Sequence, residues 1–329
     1  MTWRWPRWTD NGSLARTRVP SDLVASATVE HLLDVGFADA DRHGLTLAVV
    51  ALGSDGSVLA ERYDSTAGRD EAFISWSMAK SVTHMAAGVA GVDPAATNLF
   101  PSWAGDGRAA ITVEDLLRMQ DGLVWFEDYV DAGTSDVLEM LFGSGADDVV
   151  GYAASKPLEV TPGSRWRYSS GTSNLLGDVI RRHASVAPGD DWRSWLVDNV
   201  CRPAGMSAAD PRLDAAGSFV ASSYLYATAL DFARFGLVYL HEGAGIVDPA
   251  WVAHARRPTP GVDEPGRCYG AQWWLWPDRP DWLVAQGYET QRTIVAFDRE
   301  MVLVRLGKTP AELGGDHVDQ WLRELVDAL

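Results

Sequence analysis

Phe73-Ile74-Ser75-Trp76-Ser77-Met78-Ala79-Lys80-Ser81 is the stretch on which the reading of this chain turns. Within it, Ser77-Met78-Ala79-Lys80 sets a hydroxyl and an amine three residues apart. On a helix, residues i and i+3 are surface neighbours with Cβ atoms about 5–6 Å apart, so Lys80 Nζ can reach Ser77 Oγ. The chain has three lysines, at 80, 156 and 308, and otherwise uses arginine for positive charge. Lysine is the cation this chemistry needs, because burial lowers its pKa while arginine stays protonated. A desolvated Lys80 becomes a base for Ser77 near neutral pH. Taken alone, the four residues also fit a surface lysine beside a helix-capping serine.

At 329 residues the chain is long enough for one large domain or two lobes. Its 47% hydrophobic and 22% charged content is that of a globular enzyme. A net charge of −17 argues against nucleic acid or anionic membrane as a partner, since both require a cationic face. The first ten residues carry arginines without a following apolar run, and no stretch approaches the ~20 apolar residues of a membrane span. A cytoplasmic protein is expected. Cys201 and Cys268 form no metal or redox motif, and His241-Glu242 lacks a second histidine at 245, so no cofactor and no metal are expected. The sequence does not specify an oligomeric state.

The apolar periodicity predicts a helix over Ser21–His43, then strands over Leu45–Leu52 and Val58–Tyr63 joined by the turn Ser54-Asp55-Gly56. Helices follow over 77–91, 112–119, 134–142, 171–184, 190–200, 227–242 and 249–256. Thr112 with Asp115 reads as an N-cap and acidic first turn. Strands return over Tyr269–Trp276, Trp282–Gln286, Thr290–Phe297 and Met301–Leu306, and 316–329 closes the chain as an amphipathic helix. Alternation in Trp273-Trp274-Leu275-Trp276 places Trp274 and Trp276 on one face and Trp273 on the other. The order predicts an α/β fold: an antiparallel sheet drawn from both ends of the chain, flanked by terminal helices, with a large helical lobe inserted. The expected division of the single unit 1–329 is a sheet lobe of 1–75 and 266–329 and a helical lobe of 76–265. A ligand site is expected in the cleft between them.

Two further segments carry chemistry. Pro162-Gly163-Ser164-Arg165-Trp166-Arg167-Tyr168-Ser169-Ser170-Gly171 precedes a helix and offers the Tyr168 phenol. Ala285-Gln286-Gly287-Tyr288-Glu289-Thr290-Gln291 lies on the C-terminal strands, where a glycine lets a substrate lie against a strand edge and meet a backbone N–H. His84, seven residues after Ser77, is about 10.5 Å further along the helix axis, too far to be its base. No Gly-x-Ser-x-Gly occurs, so no nucleophile elbow is available.

In this order, the three segments resemble the serine β-lactamase and penicillin-binding-protein superfamily, whose nucleophile lies in Ser-x-x-Lys at a helix start. The likeness is greatest to class C β-lactamase-related esterases and 6-aminohexanoate-dimer hydrolases. Ile111–Leu123 resembles the family's "ITVRHLLTMTSGL", Pro157–Ser169 its "PL…PG…YSN", and Ala227–Gly236 its "TARDLARFG". The resemblance implies an acyl-enzyme on Ser77, with Lys80 as base and Tyr168 as proton shuttle. It implies oxyanion donors in the N–H groups of Ser77 and of Tyr288, which follows Gly287. Ser170 stands where the class C pattern has Asn. Trp125-Phe126-Glu127-Asp128-Tyr129 resembles a loop of the aminohexanoate-oligomer hydrolases whose tyrosine closes over substrate, which makes Tyr129 a substrate-contact candidate. Ala285-Gln286-Gly287 replaces the Lys-Thr-Gly of penicillin-recognising members and lacks the lysine that meets a substrate carboxylate. The expected reaction is hydrolysis of a small carboxylic ester or linear amide. A β-lactamase, a D-Ala-D-Ala peptidase and a non-catalytic binding relative are the alternatives.

Overall fold

The computed structural model describes residues 27–129, 135–262 and 266–329. The expected helix start at 21 and the first ten residues lie outside this range. The chain opens with α1 (Ala27–Ala38) and α2 (Ala40–His43) in place of the one expected helix. Asp39 separates them: its ψ of 69° is not helical, and its carboxylate caps α2 by accepting from the Arg42 N–H. Next come β1 (Leu45–Gly53) and β2 (Val58–Tyr63), joined at the expected turn, where Gly56 has φ +80° and Asp55 accepts from the Ser57 N–H.

The middle of the chain contributes β3 (Phe73–Ile74), a single 3₁₀ turn over Trp76–Met78, α3 (Ala79–Ala90), α4 (Val113–Leu117), α5 (Asp136–Phe142), α6 (Val149–Ala154), α7 (Ser170–His183), α8 (Asp190–Leu196), β4 (Asp210–Pro211), β5 (Leu225–Ala227), α9 (Ala229–Leu240) and α10 (Pro249–Arg256). Thr112 and Asp115 form the expected reciprocal cap of α4. Sequence reasoning missed α6, which Asp148 caps at the Gly151 N–H, and the small sheet β3-β5-β4. These strands are two or three residues long, below any readable periodicity.

The chain ends with β6 (Cys268–Tyr269), β7 (Trp274–Trp276), β8 (Arg279–Gly287), β9 (Gln291–Ala296), β10 (Met301–Lys308) and α11 (Asp316–Ala328). The main sheet runs β2-β1-β10-β9-β8-β7-β6, antiparallel throughout. Leu45 pairs with Lys308, so strands from the two ends of the chain lie side by side in it. α1 and α11 cover one face of the sheet, with Trp274, Trp276, Trp282 and Trp321 in that core. α9 crosses β1, β9 and β10 on the other face, over Trp273 and Leu283. The tryptophans therefore alternate as expected.

One expected strand is two. Tyr269–Trp276 breaks at Gly270–Trp273 because Gln272, with φ +58°, turns away from the sheet to tie down helices. Its N–H donates to the Leu117 carbonyl at 3.0 Å, and its amide donates to the Leu116 and Leu117 carbonyls. Its own oxygens accept from Ser81 Oγ of α3 and Ser173 Oγ of α7. A consequence for the site is that β7 pairs with β8 only as far as Val284. Ala285, Gln286 and Gly287 extend beyond it, on the strand that lies beside the Trp76–Met78 turn.

Candidate active site

Ser77 lies in the 3₁₀ turn that leads into α3. The residue before it, Trp76, has φ +45°, a conformation that costs a non-glycine residue roughly 1–3 kcal/mol unless its surroundings impose it. Here they do. Ser75 is held in place by its N–H donating to Leu225 O at 2.8 Å and by its Oγ donating to Ser223 O at 3.1 Å. The Trp76 indole donates to Glu289 and meets the Tyr288 ring edge-on, with centroids 5.7 Å apart. Ser77 Oγ thus faces a cleft of about 560 Å³.

Beneath it lies Lys80, with 1% of its surface exposed. All three ammonium protons are placed: Nζ donates to Ser77 Oγ at 2.9 Å, Ser170 Oγ at 3.0 Å and Ser222 O at 3.1 Å. Burial pushes the Lys80 pKa down to about 8, against the opposing pull of the Glu127 carboxylate. That shift from 10.5 disfavours the charged form by about 3 kcal/mol. Roughly one Lys80 in ten is then neutral at pH 7.

Tyr168 borders the same cleft. Its ring centroid is 4.9 Å from Lys80 Nζ, and the ring stacks on Trp274 at 5.2 Å and meets Tyr269 edge-on. The segment before it is anchored by the Arg167 N–H donating to Met119 O, and Ser169, just after it, caps α7 through the Thr172 N–H. Ser170, first residue of α7, is fully buried and reaches Lys80.

The opposite wall is the end of β8. A Cβ on Gly287 would lie 2.4 Å from Ser75 O and 3.2 Å from Trp76 Cβ, so glycine is what lets the strand reach the nucleophile turn. Tyr288 follows it and stacks on Tyr129 of the opposing loop, with centroids 5.0 Å apart. Ser77, Tyr129, Tyr168, Gly287 and Tyr288 all line the cleft, and Lys80 and Ser170 form its floor. All seven sequence candidates are therefore in one place.

Sequence reasoning missed the carboxylate at their centre. Glu127 accepts from both the hydroxyl and the N–H of Ser170, at 2.6 and 2.9 Å. It also missed Arg267 and Arg292, which line the far end of the cleft. Neither had a local signal, because Glu127 is 43 residues from Ser170 and both arginines lie more than 180 residues from Ser77. His84 is engaged elsewhere, with Nδ1 against Tyr239 OH at 2.8 Å. Among the described residues no cluster of His, Cys, Asp or Glu has the arrangement of a metal site, and no helix is long and apolar enough to cross a membrane.

The β-lactamase family model matches residues 26–328, nearly the whole chain. The chain belongs to the β-lactamase family. Solved structures with this fold include a protein of Bacillus anthracis assigned as a 6-aminohexanoate-dimer hydrolase, 18% identical with a TM-score of 0.75, covering 90% of this chain and 81% of that one. A family VIII carboxylesterase is 13% identical at a TM-score of 0.68, covering 92% and 97% of the two chains. The D-alanine carboxypeptidase AmpC of Burkholderia cenocepacia is 13% identical at 0.65, covering 92% and 98%. At such identities these likenesses speak for the fold alone. No curated protein matches the chain significantly in sequence. As a β-lactamase-family protein it falls among serine hydrolases with esterase, amidase and peptidase structural neighbours.

Proposed function

We propose that this protein is a serine hydrolase that forms an acyl-enzyme on Ser77 and cleaves a carboxylic ester or small linear amide. The observation that carries the reading is the buried Lys80 Nζ, 2.9 Å from Ser77 Oγ with its pKa pushed down to about 8. Neutral Lys80 takes the Ser77 proton as Oγ attacks the substrate carbonyl. Tyr168, beside Lys80, passes a proton to the leaving group. Water then hydrolyses the acyl-enzyme, giving two-step kinetics. The N–H groups of Ser77 and Tyr288 stabilise the oxyanion, and each such donor is typically worth ~10²–10³ in turnover. Ser170 and Tyr129 contact substrate or the groups that hold it. The two unpaired cysteines, one of them buried, fit a cytoplasmic location.

Activity against a panel of short p-nitrophenyl esters, aminohexanoate oligomers and nitrocefin, with a Ser77→Ala control, tests this. The expected result is ester or linear-amide turnover that falls by at least ~10⁴-fold in the folded variant. Undiminished turnover there would falsify the assignment.

A second reading, a β-lactamase or peptidase taking a carboxylate-bearing substrate, gains from one observation. The Lys of Lys-Thr-Gly is absent, but Arg267 Nη1 donates to Gln286 Oε1 at 2.9 Å inside the cleft. Arginine cannot accept, so this bond fixes the amide orientation and leaves Gln286 Nε2 as a buried donor without a partner. Arg292 beside it is already paired with Asp319 at 2.8 Å, so Gln286 Nε2 is the donor left for a substrate acceptor. A stable adduct on Ser77 after incubation with a fluorescent penicillin, read by intact mass, would favour this second reading over the first.

A further inference from the structure

The loop carrying Tyr129 also brings a carboxylate into line with Lys80. Glu127 accepts four hydrogen bonds: from Ser170 Oγ and the Tyr129 hydroxyl on Oε1, and from the Ser170 N–H and Trp125 Nε1 on Oε2. Gly171 permits this approach, since a Cβ there would lie 2.6 Å from the Trp125 ring. Ser170 Oγ has one proton, which it gives to Glu127 while accepting from Lys80, so the direction of both bonds is fixed. Ser77, Lys80, Ser170 and Glu127 therefore form one continuous row of hydrogen bonds. Its inner members, Lys80 and Ser170, are sealed from solvent.

Lysine must shed a proton before it can accept one from Ser77. A bystander carboxylate works against this, since its charge stabilises the ammonium. A carboxylate connected by a hydroxyl can instead receive the proton. We propose that Glu127 accepts the proton Lys80 must lose before acting on Ser77, with the Ser170 hydroxyl as carrier.

In this step a proton passes from Lys80 Nζ to Ser170 Oγ as the Ser170 proton passes to Glu127 Oε1. Lys80 is left as a neutral amine and Glu127 as a neutral acid, and no outside reactant is needed. The amine turns its lone pair to Ser77 and takes that proton as Oγ bonds to the carbonyl carbon and the carbonyl π pair moves to oxygen. When the carbonyl re-forms, the leaving group departs with the Tyr168 proton, Lys80 reprotonates Tyr168, and Glu127 returns its proton to Lys80 through Ser170. Other ionisable groups near Glu127 are Tyr129 on its own loop and Tyr168 and Tyr269 across the cleft. Burial raises the Tyr129 and Tyr269 pKa values well above the usual phenol value, so those two do not compete as acceptors. Glu127 lines the cleft but reaches Ser77 only through Ser170 and Lys80, and so acts on the nucleophile through the Lys80 proton.

The inference rests on the Ser77–Lys80 reading above, and the test separates the two. Ser77 is labelled with a fluorophosphonate across pH 5.5–9.5 and the rate followed by intact mass in wild type, Glu127→Gln, Ser170→Ala and the double variant. Wild type is expected to label. At pH 5.5 a Lys80 pKa of about 8 leaves well under one amine in a hundred neutral. Both single variants are expected to label ~100-fold more slowly there, the deficit shrinking as pH rises through 8, and the double no more slowly than the worse single, because they interrupt one path. Removing the Glu127 charge alone would instead ease Lys80 deprotonation and speed labelling below pH 8. Labelling of Glu127→Gln at or above the wild-type rate, or additive losses in the double variant, would overturn the inference while leaving Ser77 as nucleophile. A wild type that does not label would overturn both.

Discussion

The floor of the cleft and its rim bring their residues together by opposite means. On the floor, Ser77 and Lys80 are three residues apart on one turn of chain, and local backbone geometry brings them within reach. At the rim, Gly287 meets Ser75 and Tyr288 stacks on Tyr129 only because sheet, loop and helices have all packed. The floor is sealed, with Lys80 1% exposed, while the rim borders open space. The Ser77–Lys80 pair thus sits where local structure dictates it, and the rim where distant segments meet.

The strongest way to break this contrast is at the floor. Lys80→Met is expected to lower kcat/KM for an ester substrate by ~10³-fold or more, since no base remains. The fold should hold or gain stability in a thermal melt, because a buried charge is replaced by an apolar chain of similar length. Wild-type kcat/KM is expected to climb as pH rises through about 8, where Lys80 sheds its proton. Stability carries the same signature. The folded Lys80 pKa lies below its unfolded value of 10.5, so the unfolded chain binds more protons between about pH 8 and 10.5. Stability from this group therefore rises with pH across that window and is at its lowest, and flat, below it. Lys80→Met should remove that rise, as denaturant titrations at pH 7.5 and 10 will reveal.

Substituting Gly287 probes the joint between floor and rim. Gly287→Val is expected to cost about 1–3 kcal/mol of stability and 10–10² in kcat/KM, because its side chain meets Ser75 O and drives β8 off the nucleophile turn. Wild-type kinetics in that variant would mean the strand edge does not face the reacting carbonyl. The rim itself should respond least. Tyr129→Ala, which loses the stack on Tyr288, is expected to raise KM about tenfold with kcat changed less. A selective fall in kcat would instead move Tyr129 to the floor.

The same contrast explains what the sequence disclosed. The Ser77–Lys80 pair, the Thr112 cap and the tryptophan alternation follow from spacings of one to three residues, and each stands as expected. The break at Gln272 does not. Its cause is a set of bonds to residues 81, 116, 117 and 173, invisible from the strand-like run around it. Glu127 was passed over because a carboxylate next to an exposed Asp128 reads as loop solubility until Ser170 is seen against it. Asp39 divided the first helix by capping the second, where periodicity ran straight through.

The pairing of Leu45 with Lys308 has a consequence for how the protein is made. Synthesis proceeds from the N-terminus, so Ser77 and Lys80 emerge more than 200 residues before the strand that completes their cleft. Until β8 to β10 exist, β1 and β2 have no partner on their inner edge and the nucleophile turn has no wall. The contacts that close the cleft around Ser77 are the non-local ones, and these form slowly. A nascent or prematurely terminated chain therefore carries the Ser77–Lys80 pair without the wall of its cleft. The main sheet that walls the cleft is complete only when synthesis has run through β10.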